Sequence, residues 1–316
     1  MRCTGHFFGS AAEAMRGIFA PLVRELPAKD RVLLCMHTAV VPVPHEELTT
    51  PPPADPSDSH VTRLQRIRQR GALRVGCVVD NLPFSFRNEA GDLVGFDIDM
   101  AHLLASELDC KLLLVPLTPE QFSTELDGDT IDLAMSGIAM TTDRLQTATF
   151  TRPYMWVSMS LMVPDYRRSE FIHLEKIRRM TDLRVAVMPS RRFGEQLVRA
   201  FPLAEVVTIQ SPREFFVNPA LGADAMLISA ESGSAWTLIY PGFTPVIPQP
   251  QAYRVPLAYP VAAHDNAFAD FMSQWIELKS ASPQYTQMYD YWIFGRGHQE
   301  KPPRWSILRN VLGWVR

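Results

Sequence analysis

Short apolar runs alternate with amphipathic stretches from residue 61 onward. "VTRLQRIRQRG" (61–71) predicts a helix with arginines on its solvent side and an end at Gly71. "DIDMAHLLASELDC" (97–110) predicts a second helix, whose first turn Asp97 or Asp99 can cap. Three apolar runs have the length of buried strands: "ALRVGCVV" (72–79), "KLLLVPL" (111–117) and "TIDLAMSG" (130–137). Strands that alternate with helices indicate an α/β layer with a mostly parallel sheet.

The same order recurs in the second half of the chain. Its predicted strands are "DLRVAVMPS" (182–190), "EVVTIQ" (205–210) and "ADAMLIS" (223–229), with helix-like segments between them. We therefore predict two α/β lobes, the first formed by residues 61–160 plus 256–295 and the second by 161–255. Two strands near 158–165 and 255–263 are expected to cross between them, and residues 266–293 predict one or two closing helices.

The two ends of the chain differ from this regular part. Residues 49–60, "TTPPPADPSDSH", are a Pro/Asp/Ser linker that cannot hold regular structure. We therefore place a boundary at residue 60 and expect residues 1–60 to be dispensable for the fold. In the C-terminal tail, 296–316, Trp305, Leu308 and Val315 are spaced for one helical face. This spacing predicts either an interfacial helix with membrane contact through 304–316 or a packed C-terminal helix.

Composition narrows the classes of function. The 316 residues are 47% hydrophobic with a formal net charge of -3, so we expect no nucleic-acid partner, which would need a basic face. No apolar run reaches the ~18 residues of a membrane span, and the acidic residues near the start do not fit a secretory signal peptide. The cysteines lack ligand spacing and are expected to be buried free thiols: Cys3, Cys35, Cys77 and Cys110. Because the sequence contains no P-loop, zinc motif or dinucleotide fingerprint, we expect neither a metal nor a cofactor.

The stretch "SGIAMTTDR" (136–144) leaves a predicted buried strand and ends on an arginine. Ligands of open α/β sheets bind at the carboxyl ends of strands. Ser136 and Gly137 are small enough for a ligand to approach the backbone, whose N–H groups can receive a carboxylate. Arg144 adds a planar, two-pronged donor that matches a carboxylate. From these residues alone, a salt bridge on the surface explains Arg144 equally well.

Two longer stretches carry a family resemblance. "GALRVGCVVDNLPFSFRNEAGDLVGFDIDMAHLLASEL" (71–108) and "IDLAMSGIAMTTDRLQTATFTRPY" (131–154) resemble the family 3 extracellular solute-binding proteins of the polar amino-acid binding type. The resemblance implies two Rossmann-like lobes joined by two hinge strands, the clamshell of type II periplasmic binding proteins, with a small ligand between the lobes. It also implies a non-enzymatic protein that acts in the periplasm or elsewhere outside the cytoplasm. Its expected partner is a membrane transporter or a sensor component.

The resemblance implies ligand-binding positions as well. In the family, the arginine that matches Arg144 holds the α-carboxylate of the ligand. Backbone and hydroxyl groups assist it at the positions that match Ser136, Gly137 and Ala139. Ala139 lacks the hydroxyl of the family pattern, so its contribution is limited to the backbone.

Other positions depart further from the family pattern. Asn81 stands where an aromatic side chain usually stacks on the ligand, although Phe84 is kept. Ser229 replaces the acid that takes the ligand's α-ammonium, and Glu231 follows two residues later. The turn that opens a helix in the second lobe is Ser190, Arg191 and Arg192. An ordinary amino acid is therefore not assured as the ligand, because its ammonium would lack a partner.

Three functions follow from these residues. Arg191 and Arg192 at a helix start, with no acid at position 229, favour a binding protein for a dicarboxylate or an acidic amino acid. The second possibility is an enzyme, because the fold resembles that of cyclohexadienyl (arogenate) dehydratases, with Glu231 as the candidate general acid. The third is a ligand-sensing domain of a transporter or kinase. A turnover assay with prephenate or arogenate separates the enzyme from the other two.

Overall fold

The computed structural model describes residues 45–48, 50, 61–88, 91–189, 197–250 and 253–295. The predictions for 1–44 and for the tail at 296–316 lie outside these ranges. So do three residues of the predicted second-lobe turn, namely Ser190, Arg191 and Arg192. Within the ranges, the chain forms the two α/β lobes that the alternation of strands and helices predicts.

The first lobe is built mainly from the N-terminal half of the described chain. Its elements are β1 (His45–Glu47), α1 (Arg63–Arg70), β2 (Ala72–Cys77), β3 (Asp80–Asn81), β4 (Ser85–Arg87), β5 (Leu93–Val94), α2 (Phe96–Glu107), β6 (Lys111–Pro116), α3 (Phe122–Asp127), β7 (Leu133–Ala134) and β8 (Thr149–Phe150). Helix α1 begins with a capping box between Thr62 and Gln65 and ends at Gly71, whose φ of 65° is the left-handed value that glycine adopts easily. The predicted end of this helix is confirmed.

The second lobe and the returning chain complete the element list. They comprise β9 (Met155–Pro164), α4 (Leu174–Arg178), β10 (Arg184–Val187), β11 (Glu205–Thr208), α5 (Pro212–Val217), β12 (Ala225–Ser229), α6 (Ala230–Thr237), β13 (Phe243–Val246), β14 (Arg254–Leu257), β15 (Pro260–Val261), α7 (Asn266–Ser280) and α8 (Pro283–Trp292). Residues 197–200 are helical as well. Short 3-10 turns lie at Arg144–Gln146, Asp165–Glu170 and Pro219–Leu221.

Each lobe has its own central sheet. The first sheet has the order β1-β6-β2-β7-β15-β8, and its first four strands are parallel to one another. The second has the order β11-β10-β12-β9-β13, in which β9 runs antiparallel to both neighbours. Strands β3, β4 and β5 form a small separate sheet at the edge of the first lobe. Parallel strands point their carboxyl ends to one side of each lobe, which is where a ligand site is expected.

Two antiparallel strands connect the lobes. The first half of β9 pairs with β14, from Met155 opposite Leu257 to Ser158 opposite Arg254. The second half of β9 belongs to the sheet of the second lobe, and the chain after β14 returns to the first lobe as β15. The two predicted crossing strands are therefore confirmed.

Helices α7 and α8 close the first lobe, as the apolar spacing of 266–293 predicts. Their indole groups anchor them to α2, because Trp275 Nε1 donates to Glu107 Oε2 at 2.7 Å and Trp292 Nε1 donates to Asp99 Oδ2 at 2.7 Å. Asp99 therefore binds a distant helix instead of capping its own. Cys77 and Cys110 are buried free thiols, as expected, and the other two cysteines lie outside the described residues.

Strand β1 corrects the boundary expected at residue 60. Residues His45–Glu47 pair in parallel with Leu112–Leu114 at the edge of the first sheet. Ion pairs from Glu47 to Arg87 and from Glu46 to Lys111 reinforce the pairing. The sequence could not show this, because a three-residue edge strand has too short a pattern to recognise beside a proline-rich stretch. Residues 45–47 therefore pair with the first sheet, and we now expect them to contribute to its stability.

Removing β1 is expected to lower stability. A chain that begins at Ser57 loses one edge strand and two ion pairs, and we expect a melting temperature about 2–4 °C lower for each kcal/mol lost. The matched control begins at Pro44 and keeps β1. Thermal unfolding of both chains tests this, and equal melting temperatures would show that β1 contributes nothing to stability.

Candidate functional site

A cavity of about 190 Å³ lies between the two lobes. Its walls come from the segments that follow β2 and β7 in the first lobe and from β10 and β12 in the second. The crossing strands β9 and β14 supply the part that connects them. The cavity therefore lies at the carboxyl ends of parallel strands of both lobes, as the general rule for open α/β sheets requires. Seven of the predicted site residues line it, six from the first lobe and one from the second: Asn81, Phe84, Ser136, Gly137, Ala139, Arg144 and Ser229.

Arg144 presents a positive charge to this cavity without a direct ion pair among the described residues, and the carboxylates of Glu120 and Asp143 act on it from farther away. Its Nη1 donates to the carbonyl oxygen of Ala139 at 2.9 Å, and its guanidinium carbon lies 5.4 Å from the ring centroid of Phe122. Burial lowers the pKa of Arg144, but an arginine stays charged near neutral pH. Among the described residues no carboxylate forms an ion pair with it, so the surface salt bridge does not fit. The remaining N–H groups are available to an anion.

The turn after β7 is shaped by close packing against Phe84. Gly137 has a φ of 61°, and a Cβ atom there would lie 2.3 Å from Phe84 Cδ2. Only glycine fits this position, because both the backbone angle and the space exclude a side chain. The small residues predicted here are therefore required first by internal packing.

Several polar groups of this turn are bonded within the protein. The Ser136 hydroxyl accepts from the N–H of Val78 at 2.9 Å and contacts the hydroxyl of Ser85. Asn81 Nδ2 donates to the carbonyl oxygen of Ser136 at 2.7 Å. We expected the Gly137 N–H to receive a ligand carboxylate. It donates instead to the carboxylate of Asp97 and is not available to a ligand. Asn81 thus braces the turn instead of stacking on a ligand.

Asp97 connects the turn to both crossing strands. Besides the Gly137 N–H, it accepts from the hydroxyls of Tyr154 and Tyr259, each at 2.8 Å. Tyr154 directly precedes β9 and Tyr259 follows β14 by two residues. Burial raises the pKa of Asp97 to about 6, and the three hydrogen bonds only partly oppose this. The expected role of Asp97 as a helix cap is wrong, because its carboxylate faces the interior and makes no cap bond.

The second lobe contributes Ser229 but not Glu231. The Ser229 hydroxyl caps α6 by accepting from the N–H of Ser232 at 3.1 Å. The Glu231 carboxylate lies outside the cavity lining and accepts from the N–H of Ser158 on β9, at 3.1 and 3.2 Å. The helix directs the Glu231 carboxylate to the crossing strand. Glu231 is therefore placed neither to bind a ligand ammonium nor to act as a general acid in the cavity.

A contact between the lobes was not apparent from the sequence. Asp80 lines the cavity from the first lobe, and its Oδ1 lies 3.2 Å from Nη2 of Arg213 on α5 of the second lobe. The Arg213 guanidinium also lies 5.5 Å from the ring centroid of Phe86 and 5.3 Å from that of Trp236, one in each lobe. Asp80 and Arg213 are 133 positions apart, and no local pattern links them. Arg213 therefore holds the lobes together beside the cavity.

Replacing Arg213 with alanine is expected to weaken ligand binding about fivefold. A partly exposed ion pair and two cation–π contacts together contribute on the order of 1 kcal/mol to the closed arrangement, and this amount changes affinity about fivefold. Isothermal calorimetry measures the affinity, and small-angle scattering of the ligand-free protein should show a larger radius of gyration. Arg178→Ala, which removes a pair with Glu175 within the second lobe, is the control. Unchanged affinity and unchanged radius would contradict the role of Arg213.

The described residues offer little other chemistry. The Cys77 thiol lines the cavity, but burial raises its pKa to about 12, so it stays protonated and is a poor nucleophile at neutral pH. Within the described ranges, no group of three or more His, Cys, Asp or Glu side chains could hold a metal ion. None of the helices in that part of the chain is long and apolar enough to cross a lipid bilayer.

The sequence matches proteins of known family. Residues 73–296 match the profile of the bacterial extracellular solute-binding proteins, family 3. Cyclohexadienyl dehydratase of Pseudomonas aeruginosa is 30% identical over 234 residues, which are 73% of this chain and 86% of the dehydratase. The L-cystine-binding protein TcyJ of Escherichia coli is 31% identical over 91 residues, which are 29% of this chain and 34% of that protein.

Solved structures show the same architecture. An ancestral amino acid-binding protein, a precursor of cyclohexadienyl dehydratase, matches with a TM-score of 0.66 at 27% identity, over 73% of this chain and 100% of the ancestral chain. An amino acid ABC transporter substrate-binding protein from Streptococcus pneumoniae, bound to L-arginine, has the same fold with a TM-score of 0.66 at 20% identity, over 74% of this chain and 98% of its own. Members of this family bind amino acids and are typically periplasmic components of ABC transporters. The chain therefore belongs to the bacterial extracellular solute-binding proteins, family 3, and has the two-lobed fold of type II periplasmic binding proteins.

Proposed function

We propose that this chain is a non-enzymatic binding protein that closes over a small carboxylate ligand. The observation that supports this best is Arg144, which faces a cavity between two lobes and forms no ion pair among the described residues. Arg144 is half-buried, and a carboxylate that enters the cavity supplies the charged acceptor that its remaining N–H groups lack. The planar guanidinium matches a carboxylate with two parallel hydrogen bonds.

Closure follows from the position of the cavity. Its walls come from both lobes, so a ligand contacts both only when the lobes are together, and binding stabilises that arrangement. The pair β9 and β14 is the connection about which the lobes turn. The closed form is then the one presented to a membrane transporter or sensor component, outside the cytoplasm. The family membership supports this partner and this location.

The alternative function is a dehydratase. It is favoured by one observation, the 30% identity with cyclohexadienyl dehydratase across 86% of that enzyme. Such an enzyme needs an acid placed in the cavity to protonate a leaving group. Among the described residues Glu231 lies outside the cavity, and Asp80 is paired with Arg213. The described geometry therefore supports binding better than turnover.

Two experiments on the full chain test the proposal. Native mass spectrometry after mild purification should show a small anionic molecule bound with a stoichiometry of one, and its removal should leave a protein that rebinds it in calorimetry. Incubation with prephenate or arogenate should give no product. Product formation that is lost in Asp80→Asn would replace the binding protein with the enzyme.

A further inference from the structure

We infer that the ligand held by Arg144 carries a single charged group, its carboxylate, on an apolar body. This inference rests on the proposed function, because it concerns the same cavity. It narrows the ligand from any small carboxylate to a hydrophobic monocarboxylate.

Most of the described wall away from Arg144 is aliphatic or thioether. The crossing strands contribute Val157 and Met159 from β9 and Val255 and Leu257 from β14. Aliphatic side chains of the first lobe and apolar side chains of the second lobe extend this wall, and they include Leu117, Ile138, Val187, Met188, Met226 and Ile228. Methionine side chains are flexible and polarisable, so they adapt to an apolar ligand of irregular shape.

Four polar side chains of the described wall have partners within the protein. Ser136 accepts from Val78 and Asn81 donates to Ser136, both in the first lobe. Ser229 caps its own helix in the second lobe. Asp80, the acid of the described lining, is paired with Arg213 across the lobes. Among the described charged groups of the lining, Arg144 is thus the one without an ion pair.

A ligand with a second charge therefore meets a poor environment. An ammonium group would compete with Arg213 for Asp80 or remain unpaired, and a second carboxylate would be desolvated against valine and methionine side chains. An apolar body instead leaves water and fills the aliphatic wall. Hydrophobic pockets discriminate about 10–200-fold for each methylene group that fits. The acidic ligand predicted from Arg191 and Arg192 is the competing prediction, and both arginines lie outside the described residues.

Calorimetry with four matched compounds tests the inference. The reference is 4-methylpentanoate; L-leucine keeps its carbon skeleton and adds an ammonium, and succinate replaces its isopropyl end with a carboxylate of similar shape. L-Arginine is the fourth, as a basic amino acid. We expect 4-methylpentanoate to bind at least tenfold more tightly than each of the others. If any of the three binds more tightly than 4-methylpentanoate, the inference is overturned.

A wall variant provides a second measurement. Val157→Thr places a hydroxyl in the aliphatic wall at nearly constant volume, and we expect it to weaken the binding of 4-methylpentanoate about three- to tenfold. The control is Val217→Thr, at an exposed position outside the cavity, which should bind 4-methylpentanoate more tightly than Val157→Thr does. Equal affinities of the two variants would count against the inference. Arg144→Ala separates the proposed function from the inference about the apolar body. If it abolishes binding of whichever compound binds best, the proposed function stands even when the apolar body is wrong. If no compound binds, the inference fails, and the anion recovered by native mass spectrometry decides the proposed function.

Discussion

Arg144→Ala is expected to weaken carboxylate binding about thirtyfold or more. Truncating one partner of a hydrogen-bonded charge pair in a closed site costs about 2–5 kcal/mol, and 2 kcal/mol already changes affinity about thirtyfold. The effect should be large because, among the described residues that line the cavity, Arg144 carries the positive charge. The carbonyl oxygen of Ala139 fixes the orientation of its guanidinium. Calorimetry with the carboxylate recovered from the native protein, or with 4-methylpentanoate, measures the loss.

Two control variants make this result interpretable. Arg144→Lys keeps the positive charge but loses the planar fork, so we expect an intermediate loss of affinity. Arg152→Ala removes an exposed arginine that pairs with Glu277 on the surface, and it should bind like the wild type. A folded Arg144→Ala protein with wild-type affinity would show that the anion binds elsewhere.

The fold was predictable because its signals are local and repeated. Apolar runs of strand length, separated by amphipathic helices, occur twice in the same order, and this repetition alone indicates two lobes. The end of α1 was predictable for the same reason, since Gly71 follows a helical pattern directly. Strand β1 was missed because His45–Glu47 has too few residues to show a period, and its pairing partner is far along the chain.

The site was predictable only in part. The turn 136–144 contains its own signal, small residues followed by an arginine after a strand, and the structure brings that turn to the cavity. Glu231 lies two positions after Ser229, at the start of a helix, and the helix turns its carboxylate toward the N–H of Ser158. Its nearness in sequence to Ser229 therefore did not predict where its side chain lies. Asp80 and Arg213 show another limit, since a contact between lobes exists only after both lobes have folded.

Asp97 gives the second large expected effect, on stability as a function of pH. The pKa of this buried carboxyl rises from 3.8 to about 6 in the folded protein because burial disfavours the charged form. The folded state therefore binds the Asp97 proton more tightly than the unfolded chain does. The stability that this provides is fully present below pH 3.8 and is lost as the pH rises through about 6. A shift of about two pKa units corresponds to about 3 kcal/mol.

Asp97→Asn removes this titration while keeping the size of the side chain. We expect the free energy of unfolding of the variant, minus that of the wild type, to increase by about 2 kcal/mol between pH 4 and pH 7, most of the full shift. Asp99, whose pKa is also raised to about 6 by burial, is present in both proteins and cancels in the difference. Urea unfolding of both proteins at several pH values measures it. The absolute stability of the variant is lower wherever asparagine fails to satisfy all of Gly137, Tyr154 and Tyr259, but that loss does not change with pH. A difference that stays constant from pH 4 to pH 7 would mean that Asp97 ionises as easily in the folded protein as in the unfolded chain, and would overturn the claim that its burial makes stability depend on pH.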